Sequence, residues 1–253
     1  MLTYPQLSTG ALTQYPVSKR RRMRTAVNGM ADGSSIKLAD PPGEITEWVL
    51  EYSQLSDAEL AAIQQFFTNA EGTLNSFTFL DPSGNLLAWS DRLDNAGWVR
   101  DPWLSLSGGP GSWHLNNTGG GAQSIAQTIA APAGYLYCFS VYVRASQPSQ
   151  VTMVLGDQRA GRTVNTYWSR IVFSASGDMA QESITFGLEL PAGLSLDVYG
   201  LQAEPQGGPS AYKVSTTGGV YEGARLRDDV LAITATGVNQ HSCTVGIYYA
   251  KHL

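Results

Sequence analysis

The sequence has few cysteines, few charges and no long apolar run. Its 253 residues include only two cysteines, Cys138 and Cys243, which excludes a disulfide framework and a metal cage of the usual Cys/His type. No apolar stretch approaches the roughly 18 residues that a membrane span needs, and the N-terminus lacks the basic-then-apolar pattern of a signal peptide. We therefore expect a soluble protein that is made in the cytoplasm and has no membrane partner.

Charged residues make up 15% of the chain, compared with about 25% in a typical globular protein. Sixteen basic and 21 acidic side chains give a net charge of −5, so the chain as a whole lacks the basic surface that nucleic-acid binding requires. There are 27 glycines, and 10% of the residues are aromatic. This composition is typical of a β protein with many tight turns.

Residue patterns that would indicate catalysis are missing. No two of the histidines His114, His241 and His252 are spaced as a metal pair, and His241 is followed by a serine and a cysteine within one predicted strand, whereas catalytic partners usually meet through the fold. The glycines at 119–121 precede neither a lysine nor a clear helix, so they predict a hairpin tip and not a phosphate loop. We predict that the protein is not an enzyme and has no catalytic, metal or cofactor site.

The region from residue 1 to about 85 combines strand signals with one helix signal. Three strands, separated by Asp-Gly and Pro-Pro-Gly turns, are predicted at 25–30, 35–39 and 45–53. In the third strand Trp48, Leu50 and Tyr52 share one face. The segment Ser56–Glu59 has the form of a capping box, and apolar residues at helical spacing follow it, so a helix is predicted over 57–69.

From residue 86 the composition changes, because five of the six tryptophans and most of the glycines follow. Clean alternation around 135–143 and 184–190 indicates half-buried strands, and the region 86–215 is predicted to be a jelly-roll or β-sandwich domain. Two more strands in 216–253 either extend this sandwich or return to the first domain. We favour the return, because the region 1–85 alone offers too few strands to close a barrel. The expected fold is mainly β: a small barrel domain with one α-helix, and an inserted sandwich.

The tryptophans of the sandwich are candidates for sugar binding, because an indole face stacks on a pyranose ring while polar neighbours bind its hydroxyls. For Trp89 and Trp98 we favour a role in the core. Trp103, Trp113 and Trp168 lie in glycine- or serine-rich contexts, and a core role and a sugar-binding role are equally compatible with these contexts.

The densest charge cluster is a basic run, which consists of Lys19, Arg20, Arg21, Arg22 and Arg24. One interpretation is a solvated strand edge that discourages misassociation. The other is an electrostatic contact with an acidic neighbouring subunit, which we place ahead of a contact with nucleic acid.

Two family resemblances run through the chain. The two ends resemble the hub domain of tailed-phage distal tail proteins, through Tyr15-Pro16-Val17, the basic run ending at Arg24-Thr25, Trp48–Tyr52, Leu55–Glu59, the "FTFLDP" of Phe77–Pro82, Gly219–Tyr221, Ala224–Leu226 and Asp229–Leu231. The middle resembles jelly rolls of the carbohydrate-binding-module type, through Leu93–Trp98, Tyr137–Arg144, Tyr199–Glu204 and Ser210–Tyr212.

The resemblance to distal tail proteins implies a structural virion protein of the phage tail tip, made in the host cytoplasm. Such proteins form a homo-oligomeric ring, usually a hexamer, that connects the tail tube protein to the baseplate hub, to other tail-tip proteins and to the receptor-binding apparatus. An outward sandwich domain would then contact host surface polysaccharide or neighbouring tail proteins. The alternative is a glycan-binding adsorption module of the tail, which binds the host receptor.

Overall fold

The computed structural model describes residues 1–251, except for the side chain of Pro42. The fold is mainly β, as predicted, and no helix in this part of the chain is long and apolar enough to span a membrane. The elements are β1 (Val17–Gly29), β2 (Ser35–Leu55), α1 (Asp57–Ala70), β3 (Phe77–Leu80), β4 (Val99–Arg100), β5 (Leu104–Gly109), β6 (Ser112–Asn117), β7 (Gln123–Ile129), β8 (Leu136–Ala145), β9 (Ser149–Leu155), β10 (Gln158–Val164), β11 (Ser169–Ser176), β12 (Ile184–Leu190), β13 (Ser195–Glu204), β14 (Val220–Leu226), β15 (Ile233–Gly237) and β16 (Gln240–Ala250).

The chain divides into two compact units. The first unit comprises Met1–Pro5, Thr13–Phe79 and the chain from Tyr221 onward. The second unit comprises Gln6–Leu12 and Leu80–Val220.

In the first unit, the two ends of the sequence form one sheet, sheet A, with a shared core. The strand order is β1-β2-β16-β14-β3, and β15 pairs with the first residues of β16. The ring of Trp48 lies 4.7 Å from that of Tyr221 and 5.0 Å from that of Phe79, and Ile247 pairs with Trp48 across the ladder. In the described residues β1 and β3 remain end strands of the ladder, so the sheet is open and the predicted closed barrel is not observed.

The predicted helix is confirmed as α1. The side chain of Ser56 accepts a hydrogen bond from the backbone N–H of Glu59, and the Glu59 carboxylate accepts one from the backbone N–H of Ser56, which completes the capping box. Glu71 ends the helix in the left-handed conformation, with φ 51°. The helix buries one apolar stripe, formed by Leu60, Ile63, Phe66 and Ala70.

Strands β1 and β2 are longer than the sequence predicts. β2 continues through the Pro-Pro-Gly segment, which was expected to be a turn between two strands. The pairing shifts register between Arg22 and Arg24, so residues 41–44 are opposite a single residue of β1. Such a bulge leaves backbone groups out of the ladder and therefore accommodates proline. Beyond the shift, β1 and β2 pair only with each other; we call this ribbon, residues 24–40, the arm.

The second unit consists of two five-stranded sheets that pack face to face. Sheet B has the order β10-β9-β12-β7-β4, and sheet C has the order β11-β8-β13-β6-β5. The ring of Phe186 in sheet B lies 5.6 Å from Tyr137 and 5.8 Å from Phe139, both in sheet C. The predicted β-sandwich is confirmed.

Candidate functional site

The outer face of sheet C carries a row of aromatic and polar side chains. In β8 and β13 every second residue is buried between the two sheets, and the residues between them point outward. Across the β8–β13 ladder, Tyr142 is opposite Tyr199 and Arg144 is opposite Asp197. On the other side of β13, His114 of β6 is opposite Asp197. Strand pairing therefore brings these five side chains to one surface.

Three rings form an aromatic patch on this face, which consists of Tyr142, Trp168 and Tyr199. Tyr142 and Tyr199 are stacked, with ring centroids 4.6 Å apart and an interplanar angle of 7°. Trp168, just before β11, meets Tyr199 edge-on at 4.8 Å. The guanidinium of Arg144 lies 4.8 Å from the Trp168 ring, and that of Arg170 lies 5.3 Å from the Tyr142 ring. All three rings are half-buried, so each contact fixes a ring while part of it stays accessible.

A glycine makes room for this arrangement. The β8–β13 register shifts between Tyr199 and Gln202, and Gly200 in this shift has φ 67°. A Cβ atom on Gly200 would lie 3.0 Å from Tyr142 Cδ2 and 3.4 Å from Tyr212 Cγ. The position therefore requires glycine both for its backbone conformation and for the close approach of the Tyr142 ring.

Beside the patch lies a polar cluster, which consists of Arg144, Asp197 and His114. Arg144 Nε donates to Asp197 Oδ2 at 2.8 Å, and His114 Nδ1 lies 2.8 Å from Asp197 Oδ1. Burial disfavours ionisation of Asp197, but hydrogen bonds from His114 and Arg144 outweigh it and hold the pKa of this carboxyl below its ordinary value. The cluster borders a cavity of about 330 Å³ that is also lined by the hydroxyl residues Ser146, Thr166 and Ser195.

The tryptophans predicted as sugar ligands occupy three different environments. Trp168 belongs to the aromatic patch. Trp103 is 61% exposed, but it precedes β5, which lies at the opposite edge of sheet C from β11. Trp113 is only 5% exposed, and its indole N–H donates to a backbone carbonyl oxygen at 2.9 Å. Trp113 is thus a core residue without an accessible face, and we do not retain it in the candidate site. Trp98 is buried, as predicted, whereas the prediction of a core role for Trp89 is wrong, because its side chain is 38% exposed.

Sequence reasoning missed Tyr142, Tyr199 and the polar cluster. A signal for them existed, because Tyr142 and Arg144 alternate with apolar residues that predict a buried face. Asp197 and Tyr199 alternate in the same way in β13. The pairing of β8 with β13, which brings these residues together, is not visible in either local pattern.

In the first unit, the structure places part of the basic run in ion pairs with strand β2. Arg21 pairs with Glu44, and Arg24 pairs with Asp40. Both arginines are largely exposed, so each pair contributes at most about 1 kcal/mol. Their role within the chain is to tie β1 to β2.

The remaining basic residues divide into one that contacts the core and two that do not. The ammonium of Lys19 lies 5.5 Å from the Trp48 ring and 5.8 Å from the Tyr221 ring. Arg20 and Arg22 are exposed, and within residues 1–251 neither has an ion-pair partner. These two arginines are therefore the members of the run whose charge is not compensated by an ion pair.

The histidine and cysteine of β16 do not form a catalytic pair. His241 Nε2 lies 2.6 Å from Asp57 Oδ1, at the start of α1. Cys243 is buried, and desolvation raises the pKa of its thiol to about 11, which suppresses the reactive thiolate. In the described part of the chain, no group of three or more His, Cys, Asp or Glu side chains could hold a metal ion. His252 lies outside the described residues.

No protein-family model matches the chain, and no curated protein matches it. Among solved structures, it is similar to the CBM22-1 xylan-binding domain of Xyn10C from Paenibacillus barcinonensis, with 12% identity and a TM-score of 0.40 over 51% of this chain and 99% of that one. The C-terminal family 22 carbohydrate-binding module of Xyn10B from Clostridium thermocellum is 13% identical, with a TM-score of 0.39 over 52% of this chain and 98% of that one.

A third similar structure is the enzymatically active domain of tailspike protein 4 from bacteriophage CBA120. It is 12% identical, with a TM-score of 0.39, and the match covers 50% of this chain and 22% of that one. All three matches concern about half of the chain at 13% identity or less. The function therefore has to be argued from the side chains of this protein.

Proposed function

We propose that the second unit binds carbohydrate on the outer face of sheet C. The observation that carries this proposal is the accessible aromatic patch of Tyr142, Trp168 and Tyr199, with the polar cluster directly beside it. Sugars are bound by this combination, because the apolar face of a pyranose packs on an aromatic ring while its hydroxyls need directed hydrogen bonds.

The side chains of the site are held in place before any ligand arrives. The Tyr199 ring contacts both other rings of the patch, and Asp197 holds both Arg144 and His114. Preorganised groups lose less conformational entropy on binding, which favours affinity. Among the described residues, the two terminal nitrogens of Arg144 have no hydrogen-bond partner, so they remain as donors for vicinal hydroxyls of a sugar.

Isothermal titration calorimetry against a broad panel of polysaccharides tests the proposal. Trp168→Ala should weaken binding about tenfold or more, because a stacking ring contributes of the order of 1.4 kcal/mol, the equivalent of a factor of ten. Trp103→Ala is the matched control: it removes an exposed tryptophan of the same unit outside the patch, and binding should not change. Equal affinity of Trp168→Ala and the unmodified chain, or no binding to any member of the panel, would contradict the proposal.

A second candidate function is that of a structural subunit of a phage tail tip. In this function, copies of the chain form a ring, a hexamer by family resemblance, that connects the tail tube to the baseplate hub in the virion. The observation that favours it is the pair Arg20 and Arg22, two exposed and uncompensated charges on the edge strand β1. A ring needs one heterologous interface that closes by rotation, and electrostatic complementarity suits such an interface. Carbohydrate binding and ring formation are compatible in one subunit.

Light scattering and negative-stain electron microscopy of the purified chain test the ring, and mass spectrometry of phage particles tests its place in the virion. Arg22→Glu should lower the yield of rings without unfolding the chain. Arg100→Glu, which reverses an exposed arginine of the second unit, is the control and should leave the rings intact. A chain that is monomeric at every concentration and absent from particles would rule out this function.

A further inference from the structure

The arm has one apolar face that is open to solvent. Across its two strands, Ala26 is opposite Leu38 and Asn28 is opposite Ile36. Residues directly opposite in a ladder share a face, so Ile36 and Leu38 lie together with Ala26 and the polar Asn28. Met30 follows at the turn. Leu38 is 52% exposed, and the side chains of Ile36 and Met30 are also exposed.

This apolar face has no cover within the described residues. β16 pairs with β2 only from Leu55 back to Ile45, so the arm beyond this point is a ribbon of two strands. A two-stranded ribbon is marginally stable alone in water and usually needs a packed face. Several exposed apolar side chains on one face of such a ribbon indicate a contact with another molecule.

We propose that the apolar face of the arm, formed by Ala26, Met30, Ile36 and Leu38, docks on a second copy of this chain. Charge complementarity identifies the partner. Strand β1, residues 17–29, contains five basic and no acidic side chains, whereas the rest of the chain contains eleven basic and 21 acidic ones. The strand that forms the edge of the sheet and one side of the arm is thus basic, and the remainder of every other copy is acidic, which favours association between copies.

The size of the arm predicts how the contact behaves. Its six residue pairs span about 20 Å, which is too little to supply the roughly 800 Å² per partner of a stable interface. The neighbouring Arg20 and Arg22 must therefore contribute, and association should weaken as salt screens their charges. The arm and the surface that receives it differ, so the contact is heterologous and continues from copy to copy. The proposal that the apolar face of the arm docks on a second copy, which we call the docking face, rests on the ring proposal and specifies its interface. It is independent of carbohydrate binding.

Sedimentation velocity of the full chain over a dilution series, at low and high salt, tests the docking face. Leu38→Asp places a charge in the apolar face and should raise the concentration needed for association about tenfold or more, the loss expected for one buried leucine side chain. Val27→Asp is the matched control, because Val27 is 57% exposed and lies on the opposite face of the same ribbon. It should associate like the unmodified chain, and circular dichroism should be the same for both variants.

Photo-crosslinking from a benzophenone amino acid at position 38 provides a second readout in the otherwise unmodified chain. Crosslinks between copies are expected. Equal effects of Leu38→Asp and Val27→Asp, or the absence of crosslinks between copies, would overturn the docking face. If Arg22→Glu disrupts rings while Leu38→Asp does not, the ring proposal is supported and the proposed docking face is wrong. If the unmodified chain stays monomeric, both the ring proposal and the docking face are wrong. Calorimetry still tests carbohydrate binding separately.

Discussion

Asn85 is the buried side chain whose replacement gives the sharpest test of the sandwich. Its Nδ2 donates to the carbonyl oxygens of Leu201 at 2.9 Å and Lys213 at 3.1 Å, and its Oδ1 accepts from the backbone N–H groups of Leu87 and Ala203, both at 3.1 Å. One amide thus satisfies four backbone groups, which belong to the segment after β3, to strand β13 and to the segment that follows β13. We expect these three segments to depend on it.

Asn85→Leu keeps the size of the side chain and removes all four hydrogen bonds. Three of the bonds are buried, and a buried backbone group without a partner costs about 1–3 kcal/mol. The buried leucine side chain adds about 2 kcal/mol to the free energy of unfolding through the hydrophobic effect. The expected net loss is about 4 kcal/mol, the middle of a range from about 1 to 7 kcal/mol, and is a large part of the roughly 5–15 kcal/mol that stabilises a domain.

Urea unfolding followed by tryptophan fluorescence measures this loss in the right unit, because five of the six tryptophans lie in the second unit. Asn95→Leu is the control: the Asn95 side chain accepts one hydrogen bond, from the backbone N–H of Gly97 at 2.9 Å, in an exposed setting. We expect the control to cost less than about 1 kcal/mol. If Asn85→Leu costs no more than the control, the reasoning about the four buried bonds is wrong.

Asn85→Asp adds a pH dependence with a definite sign. The substitution puts an oxygen where Nδ2 donates, so two carbonyl oxygens face an acceptor. Burial and repulsion disfavour the ionised carboxyl, which raises its folded-state pKa above the ordinary value of about 3.9. This variant should therefore be closest to the unmodified chain below about pH 4 and lose stability as the pH rises from there to the raised pKa. A stability difference that is independent of pH would contradict this expectation.

Three further predictions concern the capped helix, the buried tyrosines and the cysteines. Ser56→Ala removes the N-cap of α1 and should cost about 1 kcal/mol in thermal unfolding. Burial raises the pKa of both Tyr4 and Tyr52, so the unfolded chain ionises first, and the stability of the first unit should fall as the pH rises above about 10, measured by urea unfolding at alkaline pH. Cys138 and Cys243 are buried, and burial raises the pKa of both thiols, so neither should react with a thiol reagent until the chain unfolds.

Local signals were enough to predict α1 and the buried face of β8. The capping box at Ser56–Glu59 specifies a helix start within four residues, and alternation specifies a strand face over a similarly short window. The continuation of β2 through residues 41–44 could not be predicted in this way. Its cause is a register shift against β1, which depends on how two strands pair, and the Pro-Pro-Gly pattern alone indicates a turn.

Strand pairing, which local patterns do not show, also explains why the candidate site was only partly predicted. Trp103, Trp113 and Trp168 are equivalent in local composition, and what separates them is the position of each in its strand and sheet. Trp113 is opposite Val198 in the ladder and shares its buried face, whereas Trp168 precedes an edge strand and reaches Tyr199 on the outer face. The pairing of strands decides which aromatic residue meets which.

The core of the sandwich also determines the geometry of its outer surface. Because side chains alternate along a strand, burial of Val143 and Val198 fixes the outward direction of their neighbours Arg144, Asp197 and Tyr199. A shift of one residue would bury these polar groups at a cost of several kcal/mol, so the outer surface is set by packing on the buried face, away from the proposed carbohydrate site. This separation makes Trp168→Ala a specific test of the proposed carbohydrate binding, because an outward ring is replaced while the buried residues that hold the sheet in register stay unchanged.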